Sequence, residues 1–481
     1  MVGPAPPPLL RVRRLFLRLL ALVYLIAFVS LGVQVDGLIG SRGILPVAPL
    51  LEWVKQQVGA RGYWLLPSLA WLDPSDGFLR FLCVGGAGLA LLAGLELAPA
   101  AALFLCWLCY LSLVNVGGVF LGYQWDALLL ETGLLAVFLA PLGLRPRPGA
   151  PPAPVVVWLL RFLLFRLMFG SGVVKLLSGD PSWRHLTALR YHYETQPLPT
   201  PLGWWAHQLP DWFQTLSVVL MFGVELVVPF FVFGPRKLRL VACGAFLGLQ
   251  VLIAATGNYT FFNLLAAALA LLLLDDAALP GREAEAPPAA GRAWPRALLW
   301  PVAGILGLAS LAELAGTFGI ALAPLGLVES ALGPLHSVNS YGLFAVMTTS
   351  RPEIQVEGSD DGVVWKPYEF RWKAGDLKRG PAFVAPHQPR LDWQMWFAAL
   401  GTCGQNRWFV QFLERLLEGS PPVLGLLARD PFPSHPPRFV RAQLYDYHFT
   451  TPSELRGTGR YWRRELVGPY CPVLSLQEES R

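Results

Sequence analysis

LFLRLLALVYLIAFVSLGVQV, residues 15–35, is the stretch of sequence that decides the fold. It carries one charge, Arg18, and as a helix it is long enough to cross a bilayer core, which needs about 20 apolar residues. Three arginines precede it, as in a signal peptide, but no small-residue cleavage site ends the run. We therefore predict a spanning helix that stays attached to the chain.

Eight further apolar runs follow, and together they predict a membrane-embedded helix bundle of about nine spans over residues 1–323. Of the 481 residues, 54% are hydrophobic and only 15% are charged, whereas a soluble protein carries about 25% charged residues. The candidate spans lie roughly at 15–35, 78–97, 99–119, 125–142, 155–175, 213–233, 239–256, 260–274 and 298–320. The eighth run is short, so we expect it to be tilted, re-entrant or joined to its neighbour.

The basic residues between the spans indicate the orientation of the bundle. They form four clusters: Arg11, Arg13 and Arg14; Arg145 and Arg147; Arg236, Lys237 and Arg239; and Arg282, Arg292 and Arg296. With nine spans all four clusters fall on one side, which the positive-inside rule identifies as the cytoplasm. The segments after spans one, five and nine, and with them the C-terminal part, then face the lumen or periplasm.

From about Pro324 the composition changes to that of a water-facing domain. The stretch EIQVEGSDDGVVWKPYEFRW, residues 353–372, alternates apolar and polar residues around an Asp-Gly pair, a strong hairpin signal. Residues 438–450 alternate in a similar way, and the run WFVQFLERLLEGS between them is helix-like, with Gly419 as its stop. We predict a small β-rich extramembrane domain with some helix over residues 324–481.

Six ionisable residues are singled out within the predicted spans, where each costs roughly 2.5–3.5 kcal/mol at a helix centre. They are Asp126, Glu131, Arg161, Arg166, Lys175 and Glu225. Opposite charges on spans four and five favour pairing, and Glu131 with Arg166 is the predicted pair. Two interpretations stay open, namely a structural salt bridge or a polar cavity that binds a ligand. Asp126 and Lys175 lie near the outer boundary, where snorkelling would also satisfy them.

The outer segment 176–212, between spans five and six, is rich in aromatic residues and histidine. An interfacial belt of amphipathic rings is one interpretation. A lid or binding surface is the other, because a belt alone does not require so many polar groups close together. The candidate binding residues are Trp183, His185, Arg190, Tyr191, His192, Tyr193 and Glu194, joined in the C-terminal part by Trp393 and Trp396.

The sequence shows no signature of catalysis: it has no Gly-x-Ser-x-Gly elbow, no His-Glu-x-x-His and no phosphate-binding glycine loop. Cys106 and Cys109 have Cys-x-x-Cys spacing, but they lie inside the third span, where packing is favoured over redox or metal chemistry. We predict no catalytic residue, no metal and no cofactor. The net charge of +6 is too small and scattered for a nucleic-acid partner. Whether Cys403 and Cys471 form a disulfide stays open.

Six stretches resemble the lipase maturation factor family, in family order from the fourth span almost to the C-terminus. They are YQWDALLLETG (123–133), FRLMFGSGVVKL (165–176), LTALRYHYETQPLPTP (186–201), TGNYTFFNLL (256–265), NSYGLF (339–344) and APHQPRLDWQMWFAALG (385–401). Several of them have ten or more residues, which makes the likeness specific rather than compositional. The N-terminal hundred residues match more loosely.

The resemblance implies a protein of the endoplasmic reticulum membrane that helps secreted lipases fold and assemble, with the C-terminal domain in the lumen. In a bacterial member the membrane would be the cytoplasmic membrane and the client protein unknown. The partners implied are the lipid bilayer and secreted client proteins. The family is also similar to the membrane region of vitamin K-dependent carboxylase-like proteins. A membrane enzyme that uses the intramembrane charges with His192 or Lys175 is therefore the alternative, and convergence of Arg166, Glu131, Lys175 and His192 on one open cavity would favour it.

Overall fold

The N-terminal two thirds of the chain folds into a bundle of helices. The computed structural model describes residues 9–146, 151–281, 293–322 and 325–476. Up to residue 322 its α-helices are α1 Leu10–Gly32, α2 Val35–Ile39, α3 Val47–Val58, α4 Gly62–Leu65, α5 Asp76–Gly94, α6 Pro99–Val116, α7 Gln124–Leu139, α8 Pro154–Leu177, α9 Pro181–Arg184, α10 Leu189–Thr195, α11 Pro201–His207, α12 Asp211–Phe222, α13 Arg236–Thr256, α14 Phe262–Leu271 and α15 Arg296–Thr317.

Seven helices in the described ranges are long and apolar enough to cross a membrane. Six of them are α1, α5, α6, α8, α13 and α15. The seventh is the continuous helical run Asp211–Phe233, which begins with α12. They confirm a polytopic membrane bundle and match seven of the nine predicted spans. The fourth and eighth predicted spans correspond to α7 and α14, which are shorter.

The segments that contain the two short helices still reach both ends of the bundle. Asp126 near the start of α7 contacts Arg390 of the C-terminal part, and Ala140 just past its end accepts a hydrogen bond from Trp294, ahead of α15. In the same way, Asn258 precedes α14 and bonds Ala382, whereas Asp275 follows it and pairs with Arg236. With 16 and 10 residues, α7 and α14 span only about 24 and 15 Å, so the residues around each helix complete its crossing of the bundle.

The arginine clusters gather at one end of the bundle, which we call the basic end. Arg11 donates to the carbonyl oxygens of Leu279 and Gly281, Arg14 pairs with Glu96, and Arg236 pairs with Asp275 at 2.5 Å. Leu144 accepts a backbone hydrogen bond from Ala98 at the same end. This confirms that these clusters share one end, as the positive-inside argument requires. Arg147, Arg282 and Arg292 lie outside the described residues.

The C-terminal part contains a four-stranded antiparallel sheet with helices packed against it. Its elements are α16 Gly326–Leu332, β1 Pro352–Ser359, β2 Lys366–Pro367, α17 Arg390–Ala399, α18 Arg407–Leu417, α19 Pro421–Leu424, β3 Phe439–Phe449, α20 Pro452–Thr458 and β4 Trp462–Leu474. The strand order is β2-β1-β3-β4. This confirms the predicted β-rich domain with some helix.

The predicted hairpin forms between β1 and β2, with Glu357 opposite Pro367. Gly362 in its loop has φ +74°, the left-handed conformation that glycine adopts without steric cost. The predicted strand 438–450 is β3, and the predicted helix is α18, which ends before Gly419 at φ +62°. Cys403 and Cys471 form a disulfide that joins the turn before α18 to β4.

The sheet domain packs against the end of the bundle opposite the basic end, which we call the junction end. Gln34, just past α1, donates to the carbonyl oxygen of Gln388 at 2.7 Å, and Ser30 bonds the ring of His387 at 2.9 Å. Gly37 lies so close to the C-terminal part that a Cβ there would be 2.4 Å from the carbonyl oxygen of Pro422. One buried apolar cluster therefore contains side chains from both parts.

Candidate functional site

Asp126 lies in the interior of the junction, not at the lipid boundary, so its side chain does not snorkel. Its carboxylate is fully buried and accepts two hydrogen bonds of 2.9 Å from the guanidinium of Arg390 on α17. The hydroxyl of Tyr110 donates to the same carboxylate, and Arg390 also donates to the carbonyl oxygen of Phe120 at 2.6 Å. A buried charge is very costly unless it is paired and hydrogen-bonded. Here each of the two charges is the counter-ion of the other.

Glu131 and Arg166 form the predicted pair between α7 and α8, and the structure confirms their contact. Both side chains are buried. The second carboxylate oxygen of Glu131 accepts from the Tyr341 hydroxyl at 2.7 Å and from the backbone N–H of Asn339 at 3.0 Å. Arg166 returns a bond to the carbonyl oxygen of Asn339 at 2.9 Å. The pair therefore fastens the segment that follows α15 to the bundle.

Lys175 does not snorkel either, since it is buried and pairs with Glu225 at 2.8 Å. Glu225 lies in a turn of π-helix, Gly223–Val227, that follows α12, and such turns are frequent at functional sites. A glycine at position 172 of α8 permits the close approach, because a Cβ there would be 2.7 Å from Leu226 and 3.0 Å from Glu225. Lys175 also donates to the carbonyl oxygen of Ser171 at 3.0 Å.

Arg161 stands apart from the other intramembrane charges. It is partly exposed and donates to the carbonyl oxygen of Leu272, which follows α14 on the way to the basic end. Its guanidinium therefore satisfies the end of a short helix, where carbonyl groups lack helical partners.

The candidate binding residues of the outer loop divide into exposed and buried side chains. His185, Arg190 and Tyr191 are exposed, and Arg190 makes a surface contact of 3.2 Å with Asp211. Trp183 is buried, and its indole N–H donates to the carbonyl oxygen of Phe344 at 2.9 Å. The first three are available to a partner, whereas Trp183 holds the loop in place.

Glu194 is a junction residue that contacts the sheet. Its carboxylate accepts from the backbone N–H of Phe449 at 2.7 Å and lies 3.1 Å from Nδ1 of His448. Its carbonyl oxygen accepts from the guanidinium of Arg351 at 2.6 Å, and Arg351 is fully buried. Tyr193 beside it is buried as well. Glu194 thus fixes the outer loop against β3, and neither Glu194 nor Tyr193 reaches outward.

His192 belongs to a hydrogen-bond network whose proton positions can be assigned from its partners. The side-chain Nε2 of Gln196 donates to the carbonyl oxygens of Tyr193 and Thr256, so its Oε1 accepts the hydroxyl proton of Tyr259 at 2.9 Å. Nε2 of His192, 3.1 Å from the same hydroxyl, must then be the donor. Nδ1 is left as an acceptor, and among the described residues it has no hydrogen-bond partner.

The environment of His192 keeps its ring neutral. Burial, reinforced by the positive charge of Lys175, lowers the pKa of His192 to about 4. The edge of Phe344 packs against the imidazole at a centroid distance of 4.8 Å. At physiological pH this histidine is therefore an uncharged hydrogen-bonding group in an aromatic setting.

Trp393 and Trp396 of α17 line a groove of about 410 Å³ at the junction. Trp125 and Tyr259 line the groove on the side of the bundle, and Phe344 lies next to its open rim. Trp396 donates its indole N–H to the carbonyl oxygen of Thr195 at 2.8 Å. The indole N–H groups of Trp125 and Trp393 have no hydrogen-bond partner within the described part of the chain. We call this site the aromatic groove.

A second cavity of about 370 Å³ lies among α8, α10, α12, α13 and α14. Its walls are mainly apolar, and its polar lining includes Lys175, Glu225, His192 and Gln250. Tyr259 and Phe344 line both this cavity and the aromatic groove, so the two sites share a wall. We call this second site the bundle cavity.

The intramembrane charges do not converge on one site. Lys175 and His192 line the bundle cavity, whereas Glu131 and Arg166 bind Tyr341 and Asn339 elsewhere. The arrangement that would have favoured the enzyme alternative is therefore not found in the described residues. The same residues contain no group of three or more His, Cys, Asp or Glu placed to hold a metal ion.

Several residues that build the junction were missed by sequence reasoning. Arg390 lies 264 residues from Asp126, and Arg351 lies 157 residues from Glu194, so only the folded chain brings them together. Asn258 donates to Ala382 and accepts from the backbone of Val384. A signal existed for two of them, since Arg390 and Asn258 lie in stretches that resemble the family.

Two family models match the chain. The model of the lipase maturation factor transmembrane domain covers residues 11–281, and that of the lipase maturation factor C-terminal domain covers residues 337–472. No solved structure matches the chain.

Known relatives match over nearly the whole length. Lipase maturation factor 2 of Homo sapiens is 40% identical over 97% of this chain and 83% of its own. Lipase maturation factor 2 of Gallus gallus is 38% identical over 98% of this chain and 82% of its own. Lipase maturation factor 1 of Bos taurus is 37% identical over 97% of this chain and 89% of its own. The chain is a multi-pass membrane protein that belongs to the lipase maturation factor family.

Proposed function

We propose that this chain is a non-enzymatic membrane factor that assists the folding and maturation of secreted proteins such as lipases. Its relatives carry the name lipase maturation factor, and they match it over both the bundle and the sheet domain. The division at about residue 323 into a membrane domain and an outer domain is part of the proposal.

The aromatic groove is the observation that carries the proposal. It combines a wall of large aromatic rings with apolar side chains that are exposed at its rim. At its rim Val346 is 67% exposed, Leu400 45% and Phe397 42%. An exposed apolar rim beside aromatic rings suits an incompletely folded protein, which exposes apolar side chains.

The proposed location is the endoplasmic reticulum membrane, with the sheet domain in the lumen. The basic end would face the cytoplasm by the positive-inside rule, and the junction end would then face the lumen. The Cys403–Cys471 disulfide supports this orientation, because disulfides form and persist in oxidising compartments. A bacterial member would place the same domain in the periplasm. His185, Arg190 and Tyr191, exposed on the outer loop, would extend the client surface.

The test is secretion of an active lipase from cells that lack their own maturation factors and express this chain. Val346→Asp and Phe397→Asp place a charge on the rim of the aromatic groove. We expect each to lower secreted lipase activity by at least about fivefold, the effect of losing one anchor worth about 1 kcal/mol. Co-capture of the lipase with the chain in mild detergent should fall in parallel.

The matched control is Val363→Asp in the β1–β2 loop, since Val363 is 78% exposed and lies outside the groove. This variant should support secretion as the wild-type chain does. Full secretion by both rim variants, at equal amounts of membrane protein, would show that the aromatic groove is not the client site.

A further inference from the structure

The bundle cavity has the features of a lipid site. Leu209, Phe213 and Leu252 line the cavity and are at the same time exposed on the outside of the bundle, Leu252 by 66%. Phe213 belongs to α12 and Leu252 to α13, both parts of membrane-spanning runs. The cavity therefore opens sideways between these two helices, where the surrounding medium is the bilayer.

The charge of the cavity selects against ionic head groups. Among the described residues that line it, the side chains with full charges are Lys175 and Glu225. The three ammonium donors of Lys175 are directed to both carboxylate oxygens of Glu225, at 2.8 and 3.1 Å, and to the carbonyl oxygen of Ser171. With the pair neutral and His192 uncharged, neither a phosphate nor a carboxylate finds an unpaired cation there.

The polar groups that remain at the wall are suited to an alcohol. His192 lines the cavity, and its Nδ1 is a buried acceptor without a partner among the described residues, which the hydroxyl of a ligand would satisfy. Gln250 also lines the cavity, and within the described chain its Nε2 contacts only the sulfur of Met168 at 4.0 Å. A thioether sulfur is a weak acceptor. A hydroxyl group can accept from such an amide and donate to such an imidazole.

We propose that the bundle cavity binds an uncharged membrane lipid with a hydroxylated head, which enters between α12 and α13. The head lies near His192 at the junction end, and the hydrocarbon chain lies along the apolar wall that includes Leu167 and Leu249. The shared wall of Tyr259 and Phe344 places this lipid next to the aromatic groove. The proposal does not depend on the proposed client function, because it rests on the cavity alone.

The experiment uses the full chain in phosphatidylcholine nanodiscs with a monoacylglycerol whose acyl chain carries a diazirine. After photolysis we expect the label on peptides of α8, α12 or α13. Competition by unlabelled monoacylglycerol should be about five- to tenfold more effective than competition by the same-chain fatty acid or lysophosphatidylcholine, the factor that one hydrogen bond contributes. Equal competition by all three amphiphiles, or a label that maps elsewhere, would overturn the proposal.

A pair of variants on α13 separates the cavity from the outer surface of the bundle. Ile253→Trp fills the cavity, whereas Val251→Trp adds the same ring at a position that is 67% exposed and outside the cavity. Labelling should fall at least about fivefold in the first variant and stay unchanged in the second. His192→Phe should keep the labelling but lower the preference over the fatty acid, by up to about fivefold, because one hydrogen bond to the hydroxylated head is lost. Undiminished labelling of a folded Ile253→Trp protein would contradict the site, and the wild-type mapping decides the matter if that variant does not fold.

Discussion

Asp126 and Arg390 are two opposite charges that the fold removes almost completely from solvent, at 0% and 1% exposure. Either charge without the other would be very costly to bury, so the two stabilise the fold only as a pair. Because one belongs to the bundle and the other to α17, the pair joins the two parts of the molecule.

Asp126→Asn leaves the charge of Arg390 buried without its counter-ion. We expect a loss of about 3–5 kcal/mol in stability, as for other broken buried pairs, measured as a lower thermal unfolding midpoint in detergent. The double variant Asp126→Asn/Arg390→Met should recover part of that loss. Arg463→Met is the control, because Arg463 and Glu454 are exposed and 3.7 Å apart, so that their contact contributes about 0–1 kcal/mol. A single variant as stable as wild type would show that the pair does not hold the junction.

The buried ring of His192 should make the stability of the folded protein depend on pH. Its pKa is about 4 in the folded protein against the ordinary value of 6.5, because the site is buried and close to Lys175. Between these values the unfolded chain binds a proton that the folded chain does not, so stability rises with pH and falls on acidification. From pH 6.5 to 4 the loss amounts to up to about 3 kcal/mol for this one group.

The measurement is the unfolding midpoint of wild type and His192→Phe at pH 7, 6 and 5. Burial also lowers the pKa of His207, His336 and His387, so the variant should show a shallower decline rather than none. His185→Phe alters an exposed ring. Its unfolding midpoint should therefore change with pH as that of the wild-type protein does. Identical slopes for wild type and His192→Phe would refute the assignment.

At the scale of elements, the fit between α8 and the π-helical turn is set by one small residue. A Cβ at Gly172 would meet Leu226 at 2.7 Å, whereas a Cβ at Gly244 of α13 would meet nothing within 4 Å. Gly172→Val should therefore separate the helices, weaken the Lys175–Glu225 pair and cost about 1–3 kcal/mol. Gly244→Val should leave the unfolding midpoint close to that of wild type, and an equal loss in both variants would point to a general effect of valine.

The elements that the sequence predicts are those that depend on neighbours along the chain. The seven long spans follow from apolar run length, the β1–β2 hairpin from Asp361-Gly362, and the end of α18 from Gly419. β4 was missed because its pairing with β3 is interrupted by register shifts and its sequence is broken by Gly468 and Pro469, which obscure the alternation.

The contacts across the junction, in contrast, could not be predicted from neighbours along the chain. The contacts of Arg351 with the outer loop and of Asn258 with Val384 join residues more than a hundred positions apart, and no local pattern encodes such a match. The pair Glu131–Arg166 was predictable because the bilayer itself forces charges on adjacent spans to find each other. The charges of the outer domain experience no such constraint, so their partners emerge only from the folded chain.

For the whole molecule, the geometry predicts how the chain sits in its membrane. The arginines of the basic end and the sheet domain occupy opposite ends of the bundle, so they should be found on opposite faces of the membrane. In sealed microsomes, a tag placed before Arg11 should be removed by added protease, whereas a tag at the C-terminus should survive until detergent opens the vesicles. The Cys403–Cys471 disulfide offers an internal control, because it should form in microsomes of an oxidising compartment and stay resistant to impermeant reductants. If both tags were cleaved before the detergent is added, α7 and α14 could not both cross the membrane. The cytoplasmic placement of the arginine clusters and the lumenal placement of the aromatic groove could then not both be right.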